Sequence, residues 1–212
     1  MGGSGRCYGK SGHARHHRIK GLNGYSFRYD AFGRTVEKSH PQTQRTWRYT
    51  CDSESRLTEV TVIERTRFKR VRFMYDALGR RIGKTDGKTE TRVVWDGMRL
   101  FSEERGRLLS TYVYEQDSYV PLARIDTPSP RWHEERTLLV PKAVEGIYYF
   151  HCNASGMPEE VTAADGKVVW RARYATWGKM VFEWAKYAPE GFEQNLRMQG
   201  QYHDRESGLY YN

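Results

Sequence analysis

Apolar and polar residues alternate with a period of two along the first half of the chain. Aromatic or aliphatic side chains occupy every second position in residues 25–29, 47–51, 71–75 and 93–95, with mostly polar residues between them. Such alternation is typical of β-strands with one buried face, whereas an amphipathic helix would space its apolar residues three and four apart. The pattern therefore predicts an all-β fold. Because short turn signals separate the strands, we expect an antiparallel sheet.

A short motif marks the end of each predicted strand. The sequence YDAFGR at 29–34 recurs as YDALGR at 75–80, with degenerate copies at 51–57 and 95–100. The aspartates of successive copies lie 22, 24 and 20 residues apart, a period that suits two short strands and two turns per repeat. We assign structural roles in the repeats to Tyr29, Asp30, Gly33, Arg34, Asp52, Arg56, Tyr75, Asp76, Gly79, Arg80, Trp95 and Asp96.

The spacing Asp-x-x-Gly is explained by the conformation of a β-turn. Asp at the first position of a type I turn accepts hydrogen bonds from backbone N–H groups, and Gly at the fourth position supplies a positive φ. Asp30 to Gly33 and Asp76 to Gly79 fit this interpretation. Ser55 stands where the second copy lacks glycine, so we expect a strained or different turn there. We expect the arginine that follows each turn either to stack on a tyrosine or to pair with an aspartate of the next repeat.

Turn residues and prolines divide the chain into four segments. Residues 1–24 form a basic, Gly- and His-rich tail, residues 25–110 hold the repeats, 111–145 form a strand followed by a proline-rich connection, and 146–212 return to strands. Residues 180–194 are the one stretch that we interpret as a helix or a long loop.

Charge and composition exclude several classes of protein. The formal net charge is +9, of which residues 1–20 contribute +5, so we do not expect sequence-specific nucleic-acid binding. No apolar run reaches the ~18 residues of a membrane helix, and no secretion signal is visible. Cys7, Cys51 and Cys152 are too few and too far apart for a disulfide framework, which fits folding in a reducing cytoplasm.

Candidate catalytic and metal-binding residues have simpler explanations. The repeat aspartates are spread along the sheet, which favours turn capping over catalysis. His13, His16 and His17 with Cys7 resemble a metal tract in a Gly-rich tail, which we interpret as a disordered basic segment. The pairs His151-Cys152 and His203-Asp204 are sequence neighbours on predicted strands, where adjacent side chains point to opposite faces. We therefore expect no catalytic residue, no cofactor and no metal.

The ordered set of motifs resembles the Rhs family of bacterial polymorphic toxins. The YD repeats are followed by segments at 112–124, 149–161, 169–174, 196–204 and 207–212 that are similar to the Rhs-associated core. The resemblance covers about residues 21–212. It implies an antiparallel sheet that spirals into a hollow β-shell, with a C-terminal toxin held inside and often exported by a type VI secretion apparatus with a spike protein.

The sequence departs from this family pattern at both ends. The family continues into a self-cleavage segment and a toxin, and a full shell has more repeats before residue 25. The expected product is a truncated structural fragment, without enzymatic activity, that resides in the bacterial cytoplasm before export. Its partners would be the rest of a shell and its toxin. Open sheet edges lead us to expect poor solubility or self-association.

An aromatic-rich module that binds carbohydrate or a partner protein is the alternative function. Aromatic faces suit sugar rings, although inward packing explains the same stripe. Substitution of Trp47 or Trp170 separates the two: loss of folding favours the shell, and loss of glycan binding with retained folding favours the binding module.

Overall fold

A computed structural model describes residues 18–129, 145–175 and 178–211. Within these ranges the chain is built of β-strands joined by turns and short 3₁₀ segments, and they contain no α-helix. The residues divide into two compact units, 1–73 and 74–212. The tail that contains Cys7, His13, His16 and His17, for which we expect a disordered basic segment and no metal site, lies outside the described residues. No described helix is long and apolar enough to span a membrane.

The first unit is an antiparallel series of strands in chain order. Its strands are β1 (Gly21–Leu22), β2 (Tyr25–Tyr29), β3 (Thr35–His40), β4 (Arg45–Cys51), β5 (Leu57–Glu64) and β6 (Arg67–Tyr75), the last of which runs on into the second unit. Buried residues alternate with more exposed ones in β4, β5 and β6, and the buried apolar set is Trp47, Tyr49, Val60, Val62, Val71 and Phe73. The period of two read from the sequence is therefore the pleat of a sheet with one covered face.

The second unit continues the same architecture. Strands follow in chain order as β7 (Arg81–Thr85), β8 (Glu90–Asp96), β9 (Arg99–Arg105), β10 (Leu108–Tyr114), β11 (Pro121–Pro128), β12 (Gly146–Cys152), β13 (Pro158–Ala163), β14 (Val168–Tyr174) and β15 (Met180–Trp184). A separate hairpin pairs β16 (Tyr202–Asp204) with β17 (Leu209–Tyr211).

The core of the second unit includes residues from its C-terminal segment. Leu196 and Tyr202 join a buried cluster whose other members come from strands β8 to β14, among them Phe150, Val161 and Trp170. Segment 192–211 therefore covers one face of the strands that precede it, and it buries apolar surface that would otherwise be exposed to water.

The prediction of an all-β antiparallel fold is confirmed. For residues 180–194 the sequence predicts a helix or a long loop. The helix is wrong, because Met180–Trp184 forms β15 and pairs with β14 in the register Ala172↔Glu183. Residues 185–195 are turns and irregular loop. Backbone groups on one edge of 180–184 pair with β14, and Pro189 and Gly191 interrupt any helix further along.

Candidate functional site: repeat turns and a buried charge cluster

In each complete repeat, the aspartate side chain accepts hydrogen bonds both from backbone N–H groups of its turn and from the arginine four residues later. Asp30 Oδ1 accepts hydrogen bonds from the backbone N–H groups of Phe32 and Arg34, each at 2.9 Å. Asp30 Oδ2 accepts a bond from Arg34 Nε at 2.6 Å. The carboxylate therefore satisfies the donors of the turn with one oxygen and orients the guanidinium with the other.

The same geometry recurs in the next two copies. Arg56 Nε donates to Asp52 Oδ2 at 2.7 Å, and Arg80 Nε donates to Asp76 Oδ2 at 2.8 Å. In both turns Oδ1 accepts the same two backbone N–H groups at 2.9 Å. We call each such unit, an aspartate with the arginine four residues later, a repeat clamp.

The arginine of a clamp also reaches the following turn. Arg34 Nη1 donates to the carbonyl oxygen of Asp52 at 2.8 Å, and Arg80 Nη1 donates to the carbonyl oxygen of Gly97 at 2.8 Å. The expected contact with an aspartate of the next repeat is made by Arg34, through the backbone carbonyl of Asp52 and not through its carboxylate. Its ion pair lies within its own turn, because the turn brings residues 30 and 34 face to face, and only backbone is contacted beyond.

The clamp lowers the pKa of each aspartate. The hydrogen bond from Arg56 is the largest influence on Asp52 and holds the pKa of its carboxyl below the ordinary value. At Asp30 and Asp76 desolvation opposes ionisation, but the arginine and the backbone donors outweigh it and the pKa is again lowered. The clamps are thus charged pairs at neutral pH.

The second copy forms the same turn at the cost of backbone strain. Ser55 has a φ of +65°, where Gly33 and Gly79 have +87° and +80°. Its N–H still donates to the carbonyl oxygen of Asp52, at 3.2 Å. Of the two outcomes expected for this copy, a strained turn is the one observed, because L-residues with a Cβ are disfavoured at positive φ.

The fourth copy is a different turn. Asp96 and Arg99 are directly paired across a two-residue loop, with Gly97 at a φ of +58°. Arg99 Nη2 lies 2.6 Å from Asp96 Oδ2, and Arg99 Nη1 donates to the carbonyl oxygen of Ser118 at 3.2 Å. The ion pair and the forward contact survive although the spacing has shortened to three residues.

The aromatic residues at the ends of the repeat strands form hydrogen bonds with neighbouring strands or loops. Tyr29 Oη donates to the carbonyl oxygen of Ile19 at 2.8 Å, and Trp95 Nε1 donates to that of Arg81 at 2.8 Å. Tyr75 Oη accepts a bond from Arg81 Nη2 at 3.2 Å. These residues combine an apolar ring with a polar tip that ties neighbouring backbone segments.

A cluster of buried charges, absent from the sequence-based prediction, fixes the C-terminal segment. Lys84 Nζ on β7 lies 3.0 Å from Asp204 Oδ1 and 2.6 Å from Glu206 Oε2. Asp204 is fully buried and also accepts a hydrogen bond from the Ser207 backbone N–H at 3.1 Å. Arg81 stacks on the Tyr211 ring with its guanidinium carbon 3.8 Å from the centroid.

A second group of ion pairs joins the middle strands to the same segment. Arg105 contacts Glu103 at 2.7 Å and Glu193 at 2.8 Å, and Arg205 contacts Glu183 at 2.6 Å. Glu183 in turn accepts a bond from Trp170 Nε1 at 2.8 Å. We call the two groups together the buried charge cluster, in which Lys84, Asp204 and Glu103 are almost enclosed and the other paired side chains are 23–35% exposed. Its partners are up to 122 residues apart in sequence, so no local motif predicts it.

The two candidate dyads do not form nucleophile–base contacts. Cys152 Sγ faces the carbonyl oxygen of Pro121 at 3.7 Å, and burial, reinforced by Glu159, raises the pKa of this thiol to about 11. His151 Nε2 lies 3.0 Å from Thr162 Oγ1 instead. Burial, together with Arg197 and Arg205, lowers the pKa of His203 to about 4. Among the described residues, no group of three His, Cys, Asp or Glu side chains is arranged to hold a metal.

The two tryptophans proposed as a sugar platform are enclosed. Trp47 is 6% exposed and Trp170 is 1% exposed. Lys38 Nζ and the Arg45 guanidinium lie 5.0 Å and 4.6 Å from the centroid of the Trp47 ring. These rings therefore pack against other parts of the protein and present little surface to a ligand.

Hairpins repeated in chain order and closed by Asp–Arg clamps define a YD-repeat β protein, and comparison with known sequences gives the family. Residues 147–184 match the model described as RHS protein, and residues 29–67 match the one described as RHS Repeat. The chain belongs to the Rhs family.

Two curated relatives match nearly the whole chain. The double-stranded DNA deaminase toxin A of Burkholderia cenocepacia is 38% identical in an alignment 197 positions long, which covers 88% of this chain and 14% of the relative. Toxin protein Tse5 of Pseudomonas aeruginosa is 34% identical in an alignment 219 positions long, gaps included, which covers 92% of this chain and 16% of the relative. The chain thus spans about a seventh of the length of these proteins.

The fold is shared with a solved toxin structure. A chain of the Photorhabdus luminescens Tc holotoxin pore superposes with a TM-score of 0.53 at 16% sequence identity, covering 88% of this chain and 11% of that one. The likeness supports the antiparallel all-β architecture.

Proposed function

We propose that this chain forms part of the wall of an Rhs-type β-shell that encloses a toxin and carries it out of the bacterial cell. In this role it performs no catalysis itself. Its partners are the remaining repeats of the shell, the toxin inside it and a spike protein of a type VI secretion apparatus. It resides in the bacterial cytoplasm before export.

The forward contact of the clamps is the observation that carries this proposal. Arg34 and Arg80 each bind the aspartate of their own turn and a backbone carbonyl of a following turn. Successive hairpins are thereby fixed to one another along one edge, as a wall that grows by one repeat at a time requires. Relatives named as toxins support the same role.

The buried charge cluster supports a structural role for the C-terminal segment. Its carboxylates are each held by lysine or arginine, with Asp204 bound to Lys84 and Glu183 bound to Arg205. Such contacts attach segment 192–211 to strands β7, β9 and β15. Trp47 and Trp170 are enclosed and offer little surface to a sugar, which disfavours the carbohydrate-binding alternative at these two rings.

A chimaeric toxin tests the proposal. The region of the Burkholderia deaminase toxin that aligns with this chain is replaced by residues 1–212, and the product is treated with proteinase K. We expect the toxin segment of the chimaera to resist digestion until the protein is denatured. The variant Arg34→Gln/Arg80→Gln should expose it, because both forward contacts are lost.

Arg92→Gln serves as the matched control, since Arg92 pairs with Glu90 on its own strand at 3.0 Å. It should leave protection unchanged. A chimaera that folds, as judged by circular dichroism, but whose toxin is digested as fast as the isolated toxin would refute the proposed function.

A further inference from the structure

The positive charge of the protein is concentrated in its first unit. Residues 18–73 contain thirteen Lys and Arg against six Asp and Glu, a net charge of +7. Residues 74–212 contain nineteen against twenty, a net charge of -1. Charge alone supports only sequence-independent contact with polyanions, so the placement of these residues on the sheet decides what they do.

Four arginines of the first unit lie on one exposed face of its sheet. Arg28 on β2 is directly opposite Glu37 on β3, which is opposite Arg48 on β4. Arg48 is opposite Thr61 on β5, which is opposite Arg70 on β6. Arg72 follows two residues later on the same face of β6. We call Arg28, Arg48, Arg70 and Arg72 the arginine row.

Two glutamates only partly neutralise this row. Glu37 lies 3.5 Å from Arg28 and 3.2 Å from Arg48, and Glu59 lies 3.3 Å from both Arg70 and Arg72. The side chains of the four arginines are 51–75% exposed. Exposed ion pairs are weak, and each carboxylate is shared by two guanidinium groups. Donors of every arginine therefore remain available to an incoming anion.

An exposed aromatic ring extends the same face. Phe68 precedes Arg70 by two residues on β6, so both side chains point to the same side of the sheet. Its ring is 70% exposed. The neighbouring positions of this face carry hydroxyl groups, among them Thr61 and Thr46. Guanidinium and hydroxyl groups donate to phosphate oxygens, and an exposed ring offers a stacking surface for an unpaired base.

We propose that the arginine row and Phe68 form a binding face for single-stranded nucleic acid that acts through the phosphate backbone without base-sequence preference. Arginines on alternate strands are about 9.6 Å apart, and those two residues apart on β6 about 6.8 Å, so a phosphate polymer can cross the strands. An acidic polypeptide would satisfy the guanidinium groups but would make no comparable use of Phe68. This activity is independent of the proposed shell function.

Fluorescence anisotropy of the full chain with labelled dT20 tests the proposal. Four phosphate contacts should add about 2.8 to the steepness with which the logarithm of the affinity falls with the logarithm of the salt concentration. This corresponds to a loss of about 50-fold in affinity between 50 and 200 mM salt. The variant Arg28→Gln/Arg48→Gln/Arg70→Gln/Arg72→Gln should lose this part of the slope. Phe68→Ala keeps every charge and should weaken binding about 5-fold or more.

A second quadruple variant controls for net charge. Lys88→Gln/Arg92→Gln/Arg171→Gln/Lys179→Gln removes the same four charges from the second unit and should retain the affinity and slope of the wild type. If the two quadruple variants lost equal amounts of affinity for dT20, the proposal would be overturned. Binding of a labelled polyglutamate peptide as tight as that of dT20, with no effect of Phe68→Ala, would also overturn it and would indicate an acidic protein partner.

Discussion

Removal of the Lys84 ammonium should strongly destabilise the second unit. Lys84 is almost enclosed and lies within 3.0 Å of both Asp204 and Glu206. The variant Lys84→Met keeps the length of the side chain but leaves Asp204 buried with Arg81 at 3.9 Å as its nearest cation. Breaking a buried ion pair from one side costs about 3–5 kcal/mol, because the remaining charge is uncompensated.

This loss converts to a shift in melting temperature. For a unit of this size we take about 3 °C per kcal/mol, so Tm should fall by about 9–15 °C. Thermal unfolding is followed by circular dichroism and by tryptophan fluorescence, since Trp170 lies in the affected core. Arg92→Gln, which breaks an exposed pair, should cost about 1 kcal/mol or less. A Lys84→Met shift no larger than that of Arg92→Gln would refute the reasoning.

The pH dependence of stability gives a second test of the Lys84→Met variant. Burial opposes ionisation of Asp204, but Lys84 and then Arg81 outweigh it, so the pKa of this carboxyl is lowered. A lowered folded-state pKa contributes stability above the unfolded value of about 3.9 and loses it as pH falls through the folded value. Without Lys84 the folded pKa of Asp204 rises, so the variant should lose less stability than the wild type as pH falls through this range, and the difference in stability between the two proteins should narrow in acid.

Three further outcomes follow from the turns and the buried groups. Ser55→Gly should raise the urea midpoint by an amount equivalent to about 1 kcal/mol, because glycine adopts a φ of +65° without strain, and an unchanged midpoint would count against this. Cys152, with its pKa raised to about 11, and Cys51, whose pKa burial also raises, should react slowly with a disulfide reagent at pH 8 in the native protein and rapidly in denaturant. His203, with its pKa lowered to about 4, should make the wild type less stable as pH falls from 7 to 5, since the unfolded chain takes up its proton first, and His203→Gln should remove that slope.

Sequence reasoning predicts the repeat turns well because their contacts are local. The hydrogen bonds of Asp30 to Phe32 and Arg34 span two and four residues. A motif of six residues therefore contains nearly all of the partners that determine the turn. The ion pair between Arg34 and Asp30 is absent from the sequence-based prediction, because the sequence does not show that the turn brings residue 34 back onto residue 30.

Contacts between distant segments escape this kind of reasoning. Lys84 and Asp204 look like ordinary surface charges in sequence, and only the covering of the sheet by segment 192–211 brings them together and buries them. The same covering explains why His203-Asp204 resembles a dyad in sequence but not in structure. Asp204 forms an ion pair with Lys84 instead. Burial beside Arg197 lowers the pKa of His203, so its imidazole stays neutral.

The repeat clamps and the buried charge cluster stabilise this fold in different ways. The clamps of Arg34 and Arg80 reach the following turn through side chains that are partly exposed, and the series of strands continues where a copy lacks its glycine, as at Ser55, or has a shorter turn, as at Asp96. Asp204 is different, because removal of its partner leaves a charge in a medium that solvates it poorly. Substitutions in the clamps should therefore cost less stability than a substitution that leaves Asp204 unpaired.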